Sequence, residues 1–309
     1  MQARAICSRL LRLLRGGALE GTVLSAFDHA VNVDTPVGLV SLLTEARCLQ
    51  PYSAVIGGVP AFAGIAPGDR AHLTERAVAV GGAGIALDGA AETDLSVAHA
   101  FARGPAATVT TTGHRPIPDP APLLLALAPG GDECGLSTLV TGGEPNVYAA
   151  FLEPRLPRLF DAVEAGDAAQ AGEAAARIAG CGVGLTPSSD DLLTGYMAML
   201  HALSAVGVLG DVAPVTQAIA ASAAQCTNRI SGAFLLQSGA GYVSADVLDL
   251  LQLLCSGADE RLVYGAASRV ASFGSTSGSD ILTGIVLAII HHDGGKNSGQ
   301  TGNQKECLL

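Results

Sequence analysis

The chain contains no tryptophan, only three methionines, and few charges, since charged residues fill 15% of its 309 positions. Scarce charge beside a 49% hydrophobic content excludes a disordered protein and leaves enough apolar surface for a large core. Basic residues are the scarcest, with 17 Lys and Arg against 28 Asp and Glu and a formal net charge of -11. No basic stripe exists to displace phosphate counterions, so a general nucleic-acid binder is excluded, though a local anion pocket is not. A long apolar run is also missing. Mean hydropathy is +0.41, yet no stretch reaches the ~18 residues of a spanning helix, and the segment 281–290 is interrupted by Thr283 and Gly284. No membrane partner is therefore expected.

Cys7, Cys48, Cys134, Cys181, Cys226, Cys255 and Cys307 are odd in number, scattered, and never spaced as C-x-x-C. They read as reduced thiols of a cytoplasmic protein, and as neither a disulfide framework nor a zinc site. No G-x-S-x-G elbow, Walker-type phosphate loop or H-E-x-x-H helix occurs. Gly81-Gly82-Ala83-Gly84 does not match a dinucleotide fingerprint. Near the start, Arg4, Arg9, Arg12 and Arg15 alternate with aliphatic residues. That is not the unbroken apolar region of a secretory signal. Residues 1–20 are expected to form a basic helix or extension with its charged face in water.

What is present changes character midway. From 21 to about 112, short β-like runs at 22–27, 37–43, 53–57, 77–80, 85–87 and 107–112 are bounded by turn residues, with one short helix near 94–101. Prolines 116, 118, 120 and 122, then Gly130-Gly131 and Gly142-Gly143, mark a boundary. Beyond it, helical periodicity predicts helices over 156–165, 168–178, 191–203, 212–224, 230–236, 245–254, 260–270 and 280–291. The expectation is an α+β protein. It has a strand-rich domain over 21–130, a mostly α-helical domain over 145–292, and a disordered polar tail over 293–309.

One ten-residue phrase occurs twice in the helical half. Thr186-Pro187-Ser188-Ser189-Asp190-Asp191-Leu192-Leu193-Thr194-Gly195 returns, 89 residues later, as Ser275-Thr276-Ser277-Gly278-Ser279-Asp280-Ile281-Leu282-Thr283-Gly284. The match continues into each following helix, so two helices share an entrance and a buried face, and pack as a pseudo-symmetric pair facing one site. Helix entrances carry orphan N–H groups and the positive end of the macrodipole, which suits phosphate or carboxylate. Two readings compete. Ser188, Ser189, Asp190, Ser277 and Ser279 are ordinary capping types. Capping, however, needs one polar residue per helix, whereas the first copy devotes 186–191 to proline and polar side chains, and Thr194 and Thr283 sit inside the helices. A ligand site is the preferred reading.

Its anion-binding candidates are Gly184, Thr186, Ser188, Ser189, Asp190, Thr194, Thr227, Ser231, Ser277, Gly278 and Thr283. Asp190, Asp191 and Asp280 repel an anion unless a cation mediates, so they are candidate Mg²⁺ ligands. Arg229, between polar neighbours in Thr227-Asn228-Arg229-Ile230-Ser231-Gly232, can hold a carboxylate or phosphate bidentately, or simply form a surface salt bridge. His114-Arg115 is a weaker candidate of the same kind. His291 and His292 end the last helix, where cations suit the dipole, and receive no catalytic role.

The run Gly182-Val183-Gly184-Leu185-Thr186-Pro187-Ser188-Ser189-Asp190-Asp191-Leu192-Leu193-Thr194-Gly195, with Thr227, Ser231 and Gly274 to Gly284, resembles the AllH family. Ser189 stands where that family's pattern usually has glycine. The resemblance implies a subunit of an oxamate carbamoyltransferase of anaerobic purine and allantoin breakdown. It implies phosphorolysis of oxalurate to oxamate and carbamoyl phosphate, carried out with partner subunits. One of those resembles the alpha subunit of succinyl-CoA synthetase, and the other belongs to a formerly uncharacterised family. On this reading Asp191, Asp280 and Arg229 are the catalytic candidates. A non-catalytic assembly subunit, and a transferase with another small anionic substrate, stand as alternatives.

Overall fold

A computed structural model of the chain describes residues 1–103, 117–127 and 134–294. The expected strand at 107–112, His114-Arg115, Gly130-Gly131 and the tail beyond 294 lie outside the described residues. Met1–Ala100 with Tyr242–Leu248 form one compact unit, and the described parts of Phe101–Gly241 and Asp249–Leu309 form another. The protein is α+β, strand-rich at its N-terminal end and helical at its C-terminal end, as its patterning predicts.

The first unit is a closed barrel. Its strands are β1 (Gln2–Cys7), β2 (Leu19–Phe27), β3 (Ala30–Thr35), β4 (Gly38–Thr44), β5 (Ser53–Gly57), β6 (Arg70–Leu73), β7 (Ala77–Val80), β8 (Ala83–Ala86) and β9 (Ala91–Thr93). Pairing runs β1-β5-β4-β3-β2-β6-β7-β8 and returns to β1, while β9 extends the same edge of β1 beyond β8. Alternation fills the interior, since Ala71, Leu73, Val78, Val80 and Ile85 are buried and their neighbours on β6 and β7 are exposed. Gly81 and Gly82 both take positive φ, 54° and 77°, and turn β7 into β8. The glycine cluster is a hairpin turn.

The N-terminal segment differs from its expected form. Residues 2–7 are a strand that closes the barrel, and only α1 (Ser8–Arg15) is helical. Arg12 and Arg15 on its basic face are exposed, with Arg15 beside Glu75 and Glu92, and the Arg9 guanidinium lies 4.8 Å and 4.2 Å from the rings of Tyr52 and Tyr242. After α2 (Val97–Arg103), the helical elements are α3 (Ala121–Leu127), α4 (Thr138–Thr141), α5 (Val147–Leu152), α6 (Leu156–Glu164), α7 (Ala168–Ala176) and α8 (Ser188–Ala205). They continue with α9 (Ala213–Ala224), α10 (Arg229–Gly239), α11 (Ala245–Ser256), α12 (Glu260–Ala271) and α13 (Ser277–Gly294).

At the centre of the helical unit lies α8, buried on nearly every face. Its partner is α13, and the two backbones touch at the glycines of the repeated phrase. A Cβ on Gly195 would lie 1.9 Å from Ile281 O, and one on Gly284 would lie 2.0 Å from Leu192 O. Gly284 and Ile281 are Gly195 and Leu192 displaced by 89 positions. The contact is therefore reciprocal, as a two-fold axis between the helices requires. Among the described residues no helix is long and apolar enough to cross a membrane.

Candidate functional site

The entrances of α8 and α13 are where the duplicated polar residues gather. Helix α8 begins earlier than its capping residues suggest. Pro187 is its N-cap with no side-chain cap bond, and Ser188, Ser189, Asp190 and Asp191 form the first turn itself, all buried. Capping by Ser188, Ser189 or Asp190 is thus corrected: proline fits the position without needing an N–H partner, and the polar side chains turn inward. Likewise Ser277 and Ser279 lie inside α13, and the Ser279 hydroxyl donates to Thr276 O at 2.8 Å.

Most first-turn N–H groups are already engaged. Ser189 N–H donates to Cys181 O (2.9 Å), and those of Asp190 and Asp191 turn back to Pro187 O (2.9 and 3.2 Å). In α13, Gly278 N–H donates to Phe273 O and Asp280 N–H to Thr276 O, both at 2.9 Å. Gly182, at φ 132°, lies over the start of α8, where an added Cβ would meet Ser188 N at 2.3 Å. Polar capacity at the site therefore rests on side chains more than on an open nest of N–H groups.

The three aspartates separate into different roles. Asp190, 1% exposed, is a structural knot. Its Oδ1 accepts from Gly180 N–H (2.8 Å) and the Ser189 hydroxyl (3.4 Å), and its Oδ2 accepts from the hydroxyls of Thr227 and Ser231. That carboxylate ties the α8 entrance to α10, and Asn228 Nδ2 reinforces the link by donating to Leu185 O at 2.8 Å. Asp280, fully buried, accepts Leu136 N–H on Oδ1 at 2.7 Å. Asp191 is 6% exposed, and its Oδ2, like Oδ2 of Asp280, is buried with no hydrogen bond.

Burial pushes the Asp191 carboxyl well above the usual carboxylate range. The hydroxyls of Ser277 and Thr186 pull it down, and the charges of Asp280 and Asp190 push it further up. Thr186 Oγ1 and Ser277 Oγ, 2.9 Å apart, join the two entrances beside it. A buried acid that is incompletely bonded and held toward its neutral form destabilises the fold, which is what functional carboxyl groups commonly do.

The remaining candidates fall on both sides of this line. Thr186, Asp191 and Ser277 come together, and Ser188 donates to Cys134 O at 3.3 Å, two residues from the Leu136 N–H that Asp280 accepts. Ser189, Thr227 and Ser231 serve Asp190. Thr283 Oγ1 donates to Ser279 O within its own helix, and the Thr194 carbonyl accepts from Ser238. A Cβ on Gly278 would meet Val270 O at 1.9 Å, so that glycine lets α12 approach on its Cβ side. Gly184, φ 95°, is exposed in the loop before α8 with open space around it. Arg229 is exposed as the first residue of α10, and Thr227, Asn228 and Ser231 around it bond to the α8 entrance and the loop before it. Among the described residues no three His, Cys, Asp or Glu side chains converge as metal ligands. Asp191 and Asp280 alone would leave a cation to be completed by substrate or water.

Ser189 takes ordinary helical backbone, since Tyr52 is the only non-glycine residue with positive φ among those described. The reading of His291 and His292 as cations at a helix end is corrected. Burial lowers both, His292 to about 4, while His291 stacks on Phe160 and lies 3.1 Å from the Tyr196 hydroxyl. The residues that pattern missed are Cys134 and Leu136, which contribute backbone groups and carry no periodic signal. Asn228 was also missed. It caps α10 by accepting from Ile230 and Ser231 N–H, and an Asn before an apolar helix was its visible sign.

A strand barrel followed by a helical unit centred on a duplicated, glycine-paired helix hairpin, with a buried, incompletely bonded acid at its entrance, defines the class. The chain belongs to the AllH family. Residues 178–289 match the family model described as oxamate carbamoyltransferase subunit AllH, and residues 2–93 match the AllH family N-terminal domain. The family name supports an oxamate carbamoyltransferase subunit and implies a complex of several subunits. No curated protein and no solved structure matches the chain.

Proposed function

We propose that this chain takes part, with partner subunits, in phosphorolysis of oxalurate to oxamate and carbamoyl phosphate, and that the paired entrances of α8 and α13 receive the small anionic substrate. The observation that carries this reading is Asp191, a buried carboxyl with an unpartnered oxygen beside the Thr186 and Ser277 hydroxyls. Carbamoyl transfer requires a carbonyl to be polarised as charge develops on its oxygen, and hydroxyl donors held in a half-buried site supply that. A neutral Asp191 removes the repulsion that an ionised acid would set against an anion. The test is to co-express the chain with its partner subunits as Asp191→Asn and, separately, as Asp280→Asn, then assay oxalurate phosphorolysis. Loss of about 100-fold or more in turnover with intact assembly is expected for Asp191→Asn. Full activity with normal assembly in both variants would leave the chain an assembly subunit and overturn the catalytic reading.

A further inference from the structure

The two-fold relation between α8 and α13 makes their two entrances equivalent half-sites, yet among the described residues the chain's own backbone enters only one. Displaced by 89 positions, Ser188 becomes Ser277 and Asp191 becomes Asp280. The pair Ser188 and Asp280 is engaged by a backbone segment: the Ser188 hydroxyl donates to Cys134 O (3.3 Å) and Leu136 N–H donates to Asp280 Oδ1 (2.7 Å). A carbonyl acceptor and an N–H donor, two residues apart in the chain, thus meet one hydroxyl and one carboxyl oxygen. The counterpart pair, Ser277 and Asp191, has Thr186 beside it, and among the described residues no backbone N–H donates to the Asp191 carboxyl; Oδ2 of each acid is buried with no hydrogen bond. A buried acceptor left in that condition costs about 1–3 kcal/mol, so a fold that keeps one has a use for it.

We propose that the half-site of Asp191, Ser277 and Thr186 takes a planar amide or ureido group. Its N–H donates to the Asp191 carboxyl in place of the Ser277 hydroxyl, and its C=O accepts from that hydroxyl as it turns from Asp191. The backbone at Cys134–Leu136 does the same in the other half. Either protonation state of Asp191 offers an acceptor oxygen, so the pairing does not depend on its charge. The proposal rests on the reading of this place as the substrate site and names the part of the substrate that Asp191 recognises.

The discriminating probes are carbamoyl phosphate and acetyl phosphate, which share the phosphate and the carbonyl and differ in an NH₂ against a CH₃. Binding to the full chain is measured by calorimetry, with inorganic phosphate as the anion control. Carbamoyl phosphate is expected to bind about 10-fold or more tightly than acetyl phosphate, because the latter leaves the buried acceptor unpaired. The preference should fall to near unity in Asp191→Leu. Ser277→Ala, the milder change should the first variant fail to fold, should weaken both acyl phosphates while sparing inorganic phosphate. Equal affinity of the wild-type chain for the two acyl phosphates, binding of neither, or a preference intact in a folded Asp191→Leu overturns the proposal. Those outcomes are read on binding alone. Failure of the wider functional reading would appear separately, as an assembled complex that does not cleave oxalurate.

Discussion

The close approach of α8 and α13 makes a quantitative prediction about Gly195. Alanine is the best helix former and replaces glycine inside a free helix with a gain of about 1 kcal/mol. Here the new methyl would stand 1.9 Å from Ile281 O, where ordinary contact begins near 3.4 Å, so the helices must separate by roughly 1.5 Å. Backbone cannot rotate away as a side-chain end can. Overpacking of this kind costs about 3 kcal/mol, and the net loss is about 2 kcal/mol after the propensity gain. That corresponds to a melting midpoint about 4–8 °C lower. Gly284→Ala, at 2.0 Å from Leu192 O, should do the same. Because one separation admits both methyls, the double variant should cost less than the sum, with a coupling of about 1 kcal/mol. Gly265→Ala in α12 is the control: nothing lies within 4 Å of its Cβ position, so it should gain about 0.5–1 kcal/mol. Urea or thermal unfolding of the four variants decides the matter. If Gly195→Ala stabilises as Gly265→Ala does, the close reciprocal packing is wrong, and with it the equivalence of the two entrances.

The charge state of Asp191 gives a second prediction. Its folded pKa is raised above the ordinary value of 3.8, so the wild-type chain loses stability as pH rises from about that value through the folded pKa. Asp191→Asn should therefore melt higher than wild type at pH 7, by about 1.4 kcal/mol for every tenfold by which folding weakens the acid, with the gap closing toward pH 4; a variant less stable than wild type at both pH values contradicts this. The knot around Asp190 gives a third. Ser231→Ala and Thr227→Val each remove a donor from a buried carboxylate and should cost about 1–3 kcal/mol apiece, less than additively in combination, by the same unfolding assay.

Much of the barrel was legible because strands with one buried face alternate and end at turn residues, as 77–80 does, while 53–57 shows as a short apolar run between turn residues. Strands β3, β6 and β9 matched no expected run, and β1 was missed because Arg4 and the following leucine-arginine run suggest helix, whereas closure against β5 makes residues 2–7 a strand. Helix positions from 156 onward followed their 3.6-residue period, while the short helices α3, α4 and α5 and the start of α8 did not show in it. A run of Ser, Ser, Asp and Asp reads locally as a cap; packing on α10 and α13 turned it into a buried first turn. The repeat located Thr186, Asp191 and Ser277, because duplication is visible in one dimension. The occupant of the opposite half-site, Cys134–Leu136, acts through backbone atoms, to which side-chain identity is nearly silent.

That asymmetry bears on why the duplication persists with unequal copies. If both entrances only capped helices, Ser189-Asp190 and Gly278-Ser279 would be interchangeable, and neither aspartate at the fourth helical position would need to be buried. Instead, Gly278 is fixed by the backbone of α12, and Asp190 is fixed by α10. One copy thus faces a neighbouring helix through a glycine, and the other through a carboxylate with four donors. Those differences hold the helix pair while leaving Asp191 without the backbone donor that Asp280 receives from Leu136. Stability alone would favour giving that donor to both acids or building neither acid into the fold. Among the described residues a peptide segment occupies one half-site and not its twin, and on the proposed reading a substrate completes the symmetry.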